Sequence, residues 1–492
     1  MNKKTFLNVA LLFGAVAAQS ADYSQPNIIF ILADDWGWTD WQMNGSKYGS
    51  DLYETPCLNA MARQGLVFTQ AYATPLSSPS RTALLTGKYP AARLHMHQAI
   101  TGASVSNPVV PAEEKPARKT CFPQSLNHLP LEEITIAEEL KRAGYKTFHF
   151  GKWHLGGKEY YPKQQGFDEQ FAVGGAAPGP GGYFAPYRGM ENVAALREGE
   201  YITERLTDEV CKTISSQKDK PFFIYMAHYN VHSPYQGRPD LVEKYRKKIK
   251  DTNPIRHTHP VMAAMVESLD ASVGKVLDRV KEEGLEDNTI VIVMGDNGGV
   301  NWAGDRANPN LKVTSNTPLR GGKCCFYEGG VRVPLVIWAP SYVKGHREED
   351  TPVHLVDFYP TLVEIAGGKV SDGKDVYDGV SILPLLENFG MPQRPIYCHF
   401  PRTAQIDVPV GGSSVRYGDY KLYRLYGFNE DGTDAYELYN LKEDLCETDN
   451  LISEQKDIAL NMKTMLDEWL KETKALMPHP NPKYDADYKR KK

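Results

Sequence analysis

The sequence predicts an α/β protein. A large mixed, mostly parallel sheet is sandwiched by helices, and a smaller C-terminal subdomain of antiparallel sheet plus helix follows. Three observations lead there. Continuously apolar runs recur through residue 339, amphipathic helical segments separate them, and past about residue 390 aromatic and polar residues begin to alternate.

The first run, residues 27–33 "NIIFILA", has the texture of a strand buried on both faces. "KTFHF" (146–150), "PFFIYMA" (221–227), "TIVIVM" (289–294) and "VPLVIWA" (333–339) repeat it. Between them, residues 135–144 open on a Thr135–Glu138 capping box and stop at Gly144. Over 261–284, Met262, Met265, Leu269, Val273, Val276 and Val280 recur at helical steps until Gly284. Strands alternating with helices predict a largely parallel sheet. After residue 390, "SSVRYGDYKLYRLYG" and "AYELYNL" read as an antiparallel set with one wet face. A helix is expected over 454–473, and a tail over 481–492.

Composition narrows the function. The 492 residues are 41% hydrophobic and 24% charged with a net charge of −5, which supplies no general field for nucleic acid. Affinity for an anion would therefore come from a local cluster of cations. At the N-terminus Lys3 and Lys4 precede a short apolar stretch, Phe6 to Ala18, then small residues. That is the form of a signal peptide over residues 1–21, too short for a membrane span. Export to the periplasm or beyond is the expectation. The seven cysteines are scattered, without a CxxC pair, and no disulfide is assigned.

In open α/β sheets, ligands sit beyond the carboxyl ends of strands. Each predicted strand end carries unusual polar residues: Asp34 and Asp35 after the first, Lys152 and His154 after the second, His228 and His232 after the third, Asp296 and Asn297 after the fourth. Lys323 follows later, before a Gly-rich stretch. Taken singly, each residue reads as a turn, a cap or a surface charge. Together, carboxylates and an amide oxygen form a hard donor set for Ca²⁺ or Mg²⁺, and the cations suit a tetrahedral oxyanion beside it.

"PLSSPSRTALLTG" (75–87) joins this edge. Pro79 suits the first turn of a helix, which puts Ser77 at its N-terminal mouth, where anions are favoured. Arg81, four residues on, returns to the same face. Ser78 and Ser80 read as capping or packing residues.

"SSPSRTALLTG" resembles the type I sulfatase signature, with Ser77 at its variable first position. "DDWG", "GKWHLG", "HSP", "GDNGG" and "LRGGK…YEGGVRVP" are similar to the family in type and order. The resemblance implies an alkaline-phosphatase-like catalytic domain over 22–390 and a closing subdomain over 391–480. It also implies that Ser77 is oxidised to Cα-formylglycine, whose hydrate is a gem-diol, by a formylglycine-generating maturase. Asp34, Asp35, Asp296 and Asn297 would hold one Ca²⁺ together with modified Ser77. Arg81 would steady the diol, and Lys152 and Lys323 would grip sulfate. His154 would help collapse the sulfated intermediate, and His232 would protonate the leaving oxygen. His228 is a rival; His232 is preferred because it precedes Ser-Pro, as the family histidine does.

The substrate expected from this resemblance is a sulfated mono- or oligosaccharide, cut exo-fashion at galactose or N-acetylgalactosamine. Tyr183, Tyr187, His257, His259, Trp302, Arg306 and Arg402 lie in loops that could line a sugar pocket. Two other readings compete. One is a phosphatase or phosphodiesterase of the same superfamily, which would usually show Asp-His where Asp296-Asn297 stands. The other is a non-catalytic glycan-binding homologue.

Overall fold

The computed structural model describes residues 25–100, 109–110, 115–116, 118–174, 182–369, 377–402, 410–485 and 487–488. The expected signal peptide lies outside them. Strand β1 (Asn27–Ala33) sits at the middle of the main sheet, followed by β2 (Leu66–Tyr72), β3 (Lys146–Lys152), β4 (Glu169–Gly174), β5 (Phe222–Ala227), β6 (Thr289–Gly295) and β7 (Arg332–Trp338). Their spatial order is β2-β7-β6-β1-β5-β3-β4, with short strands added at either edge. β6, β1, β5, β3 and β4 run parallel, whereas β7 is antiparallel to both β6 and β2. The sheet is mixed and mostly parallel.

The apolar runs are continuous because both faces are covered. Alternate side chains of a strand point to opposite faces. Ile28, Phe30 and Leu32 of β1 enter one core; Ile29, Ile31 and Ala33 enter the other. The first core is closed by α2 (Ser77–Thr86), α3 (Ile136–Arg142) and α7 (Phe358–Ile365) through Leu84, Leu140 and Leu362. The second is closed by α1 (Pro56–Ala62), α4 (Ile202–Gln217), α5 (Pro239–Thr252) and α6 (Pro260–Glu282) through Leu58, Leu206, Val242 and Leu269. The Thr135–Glu138 capping box starts α3 as expected, and Gly284 takes a positive φ just beyond α6.

β8 (Ile396–Phe400), β9 (Gly412–Tyr417), β10 (Tyr420–Leu425) and β11 (Ala435–Asn440) form an antiparallel meander, and α8 (Lys456–Glu472) packs on it. One face, through Val415, Leu422 and Leu438, joins the first core. On the other, Tyr423, Leu425 and Tyr439 cluster with Phe326 and Tyr327, just after Lys323. The C-terminal tail is tied down in part: Asn481 Nδ2 donates to the carbonyls of Lys115 and Arg118 at 2.7 and 2.8 Å.

This topology decides where chemistry can occur. The carboxyl ends of β1, β3, β5 and β6 share one edge. Because β7 is reversed, its beginning lies there too, and β2 ends there before turning into α2.

Candidate active site

Eight of the residues singled out from sequence converge at that edge. Asp34 and Asp35 leave β1, and Asp296 and Asn297 leave β6. Asp34, Asp35 and Asp296 are 0%, 2% and 0% exposed. Ser77, the first residue of α2, donates its hydroxyl to Asp34 Oδ1 at 3.0 Å and to Asn297 Oδ1 at 3.1 Å. Lys152 Nζ donates to Asp34 Oδ2 at 2.6 Å, and Lys323 Nζ to Asp35 Oδ2 at 2.7 Å. Arg81 donates to Asp296 Oδ2 at 3.1 Å and to the Lys152 carbonyl at 3.0 Å.

Ser78 and Ser80 do the packing work expected of them. Ser78 Oγ donates to the His154 carbonyl and accepts from Ile100 N–H, while Ser80 Oγ meets Thr74 Oγ1 at 2.8 Å. Only Ser77 faces the carboxylates.

Three buried carboxylates and three cations, Arg81 and Lys152 buried and Lys323 partly so, balance in formal charge, yet the balance is uneven locally. Burial resists ionisation of Asp34, but Lys152, His232, Arg81 and Lys323 outweigh it and hold Asp34 well below the usual carboxylate range. Asp296 goes the other way: burial, and then the charge of Asp34, lift it to about 7. Crowded carboxylates cannot all ionise without further positive charge. The oxygens of Asp34, Asp35, Asp296, Asn297 and Ser77 are hard donors that fit a divalent cation such as Ca²⁺ or Mg²⁺, and such an ion relieves this repulsion. One oxygen each of Asp34 and Asp35 lies within 4.8 Å of a His232 nitrogen and of the other. The oxygen-rich set favours a hard ion.

His154 is 1% exposed, and neither ring nitrogen finds a partner among the described residues. Burial, then the charges of Lys152 and Arg81, push its pKa far down, so the ring is neutral. Two unused polar atoms buried against a cationic cluster are costly unless a ligand meets them. His232 sits with Nε2 3.7 Å from Asp35 Oδ2, while Nδ1 is 2.7 Å from the Ser233 carbonyl. Nδ1–H therefore donates to that carbonyl and turns Nε2 toward the carboxylates. His228 is engaged elsewhere: its Nε2 lies 3.1 Å from Ser272 Oγ on α6, and burial pushes it down to about 3. Of the two histidines, His232 is the one whose ring faces the carboxylates.

Among the proposed sugar contacts, three are structural. Tyr183 is fully buried, and its hydroxyl donates to the Tyr229 and His232 carbonyls at 2.5 and 2.9 Å. His257 is clamped by Asp51 at 2.8 Å, and His259 caps α6 by accepting from Met262 N–H. Tyr187 donates to Glu200 Oε2 at 3.0 Å. Trp302 and Arg306 are exposed, and Arg402 donates to Gln98 Oε1 at 3.2 Å.

The sequence reading missed Asn230. Asp34 N–H donates to the Asn230 carbonyl at 2.8 Å, and Val231 N–H donates back to the Asp34 carbonyl at 2.6 Å. The Asn230 side chain accepts from Thr203 Oγ1 at 2.5 Å and donates to the Met265 carbonyl at 2.9 Å. Two helices, α4 and α6, thus anchor the segment between Asp34 and His232. Its only sequence signal is an amide two residues before His232.

With this geometry in view, the chain can be set beside known proteins. The family model described as "Sulfatase" matches residues 26–368, and one described as "N-sulphoglucosamine sulphohydrolase, C-terminal" matches residues 322–475. A sulfatase of Formosa agariphila is 34% identical, covering 91% of this chain and 89% of its own. The N-acetylgalactosamine-6-sulfatase of Mus musculus is 30% identical over 90% of this chain and 79% of its own. Among solved structures, Ps i-CgsB aligns with a TM-score of 0.73 at 26% identity, covering 95% of this chain and 96% of that one. PsFucS1 sulfatase from Pseudoalteromonas sp. shares the fold at a TM-score of 0.69, 22% identity, and 94% and 92% coverage.

The chain belongs to the sulfatase family. Its class is that of the sulfuric ester hydrolases.

Proposed function

We propose that this protein is an exported, periplasmic or extracellular enzyme that removes O-sulfate from carbohydrates, acting exo-fashion on galactose or N-acetylgalactosamine. The reading includes one Ca²⁺ and a Cα-formylglycine made from Ser77 by a maturase. The observation that carries it is the seat of Ser77, whose hydroxyl touches Asp34 and Asn297 at the mouth of α2, with Arg81 and Lys152 beside them. The likeness to N-acetylgalactosamine-6-sulfatases, and to Ps i-CgsB in complex with k-i-k-neocarrahexaose, supports a sugar substrate.

The chemistry the modified residue and ion would supply is a metal-activated diol, whose second hydroxyl lets sulfate be expelled without a second external attack. The chain's own residues do the rest. Lys152 and Lys323 exchange their carboxylate partners in part for the sulfate oxygens, and their charge offsets that of the ester in a dry site. His154 offers its free ring nitrogens to the hydroxyls at residue 77. His232 holds the acid position: burial, then Lys323, push it down to about 4. A sulfate anion seated between Lys323 and His232 reverses that repulsion, so the imidazole gains its proton when substrate binds and delivers it from Nε2 to the sugar oxygen. Loss of Lys323 or Lys152 would cost on the order of a hundredfold in turnover.

The test is a panel of defined monosulfated sugars with free sulfate as the readout. Sulfate release from galactose or N-acetylgalactosamine sulfates supports the reading; phosphate release from the matching phosphate esters without any sulfate release, or no release at all, overturns it.

A further inference from the structure

The two loops that carry the site's chemistry each bring an aromatic residue to one point. Trp302 lies five residues past Asn297, on the loop leaving β6, and Tyr235 three residues past His232, on the loop leaving β5. A Cβ built on Gly304 would stand 3.6 Å from both Trp302 Nε1 and Tyr235 Oη. Trp36, Trp38, Trp41, Trp153, Trp338 and Trp469 are at most 6% exposed, whereas Trp302 is 38% exposed. Trp302 alone of the seven tryptophans leaves part of its indole in water.

The loop is also built to hold still. Its neck is closed by Val313 N–H to the Trp302 carbonyl and Thr314 N–H to the Val300 carbonyl, both at 3.0 Å. Its middle is pinned through Asp305, which accepts from Ala307 N–H at 2.9 Å and Asn308 Nδ2 at 2.6 Å. His259 Nε2 lies 3.2 Å from the same carboxylate, and Nδ1 of that ring accepts from Met262 N–H. Tyr235 packs against His259 with ring centroids 6.1 Å apart. Its hydroxyl has no hydrogen-bond partner among the described residues. Burial, then the charges of Asp35 and Asp305, raise its pKa, which keeps it a neutral donor.

We propose that Trp302 and Tyr235 form the recognition wall for the sulfated ring, with Trp302 stacking on the C–H face of a galacto-configured pyranose and Tyr235 Oη bonding a ring hydroxyl. The proposal rests on the carbohydrate sulfatase reading above and names its selectivity element. In a galacto ring the axial O4 leaves C3–H, C4–H and C5–H as one apolar patch, which suits an indole face; the equatorial O4 of a gluco ring does not leave that patch clear. An aromatic wall with one polar edge is how pockets fix the orientation of such ligands.

The experiment has two arms. In the Ser77→Ala protein, which binds without turnover, tryptophan fluorescence is quenched with acrylamide while galactose 6-sulfate or glucose 6-sulfate is added. Galactose 6-sulfate is expected to shield the quenchable fraction at lower concentration, and both Trp302→Phe and Trp302→Ala, which remove the reporting indole, to lose that ligand-sensitive fraction. In the mature enzyme, Trp302→Ala should raise KM for galactose 6-sulfate about tenfold with kcat within about threefold, and Tyr235→Phe should raise it less. Unshielded fluorescence at saturating sugar together with an unchanged KM in Trp302→Ala overturns the wall. Equal shielding by both sugars overturns the galacto selectivity. Absence of sulfate release from any sugar overturns the carbohydrate sulfatase reading instead, and the quenching arm still judges Trp302.

Discussion

Arg81 and Asp296 form a fully buried ion pair, Nη2 to Oδ2 at 3.1 Å, with both side chains at 0% exposure. Arg81 spends its other terminal nitrogen on the Lys152 carbonyl, so one side chain ties α2, β3 and β6 together behind Ser77. Removing one partner of such a pair leaves a charge stranded in a dry interior. Arg81→Leu should therefore lower stability by about 3–5 kcal/mol and abolish sulfate release. Arg81→Lys should lose less stability, since it keeps the charge without the fork. Denaturant unfolding of the three proteins checks the order; equal stability of Arg81→Leu and wild type would contradict it.

Asn230 should behave as a positioning residue. Asn230→Ala removes the bonds to the Met265 carbonyl and from the Thr203 hydroxyl, at a cost of about 1–3 kcal/mol. Because its backbone brackets Asp34 and leads to His232, kcat should fall more than KM rises. A Tm loss with unchanged kcat would reduce Asn230 to a packing residue.

The buried cluster beneath the C-terminal sheet sets a pH dependence. Glu328 Oε1 pairs with Lys421 at 2.6 Å, and Glu447 accepts from Glu328 N–H at 3.0 Å and from the Tyr423 hydroxyl. Burial opposes ionisation of Glu328, but Lys421, Arg332 and Arg416 outweigh it and hold it at about 2. That contribution is present above the unfolded value near 4.5 and fades as pH falls toward 2. Glu447 has the opposite sign. Burial, and then Glu328 against Lys421, lift it to about 8, so the folded state binds its proton more tightly and stability falls as pH rises from about 4.5 to 8. Glu447→Gln should remove this alkaline decline, on the order of a few kcal/mol. Thermal unfolding from pH 4 to 9 checks it, and parallel curves for mutant and wild type would refute it.

Chelation tests the oxygen cluster. A ligand present at a hundred times its Kd stabilises the folded state by about 2.7 kcal/mol. Treatment with a Ca²⁺ chelator should lower Tm by several degrees and stop turnover, and Ca²⁺ should restore both. Zn²⁺ restoring activity better than Ca²⁺ would point to the phosphatase reading.

Much of the site was legible because a buried parallel sheet writes itself as unbroken apolar runs, and ligands gather where those runs end. Asp34, Lys152, His232 and Asp296 all follow such runs. β2 was not legible: Thr69 and Gln70 interrupt its apolar texture where the strand nears the edge of the sheet. β4, another strand far from the sheet centre, opens on Glu169 and Gln170 and reads as a loop. Asn230 was hidden because its partners, Thr203 and Met265, come from two different helices. His257 and His259 looked like loop ligands because nothing local shows that Asp51 and the start of α6 use them.

The most direct measurement is mass spectrometry of the peptide bearing Ser77, from protein made in a host with a serine-type maturase, alongside the activity of Ser77→Ala. The account expects that peptide to be lighter by two hydrogens in the active fraction, and expects Ser77→Ala to keep its Tm while releasing no sulfate. A fully active preparation with unaltered Ser77, or near-normal turnover by Ser77→Ala, would contradict it.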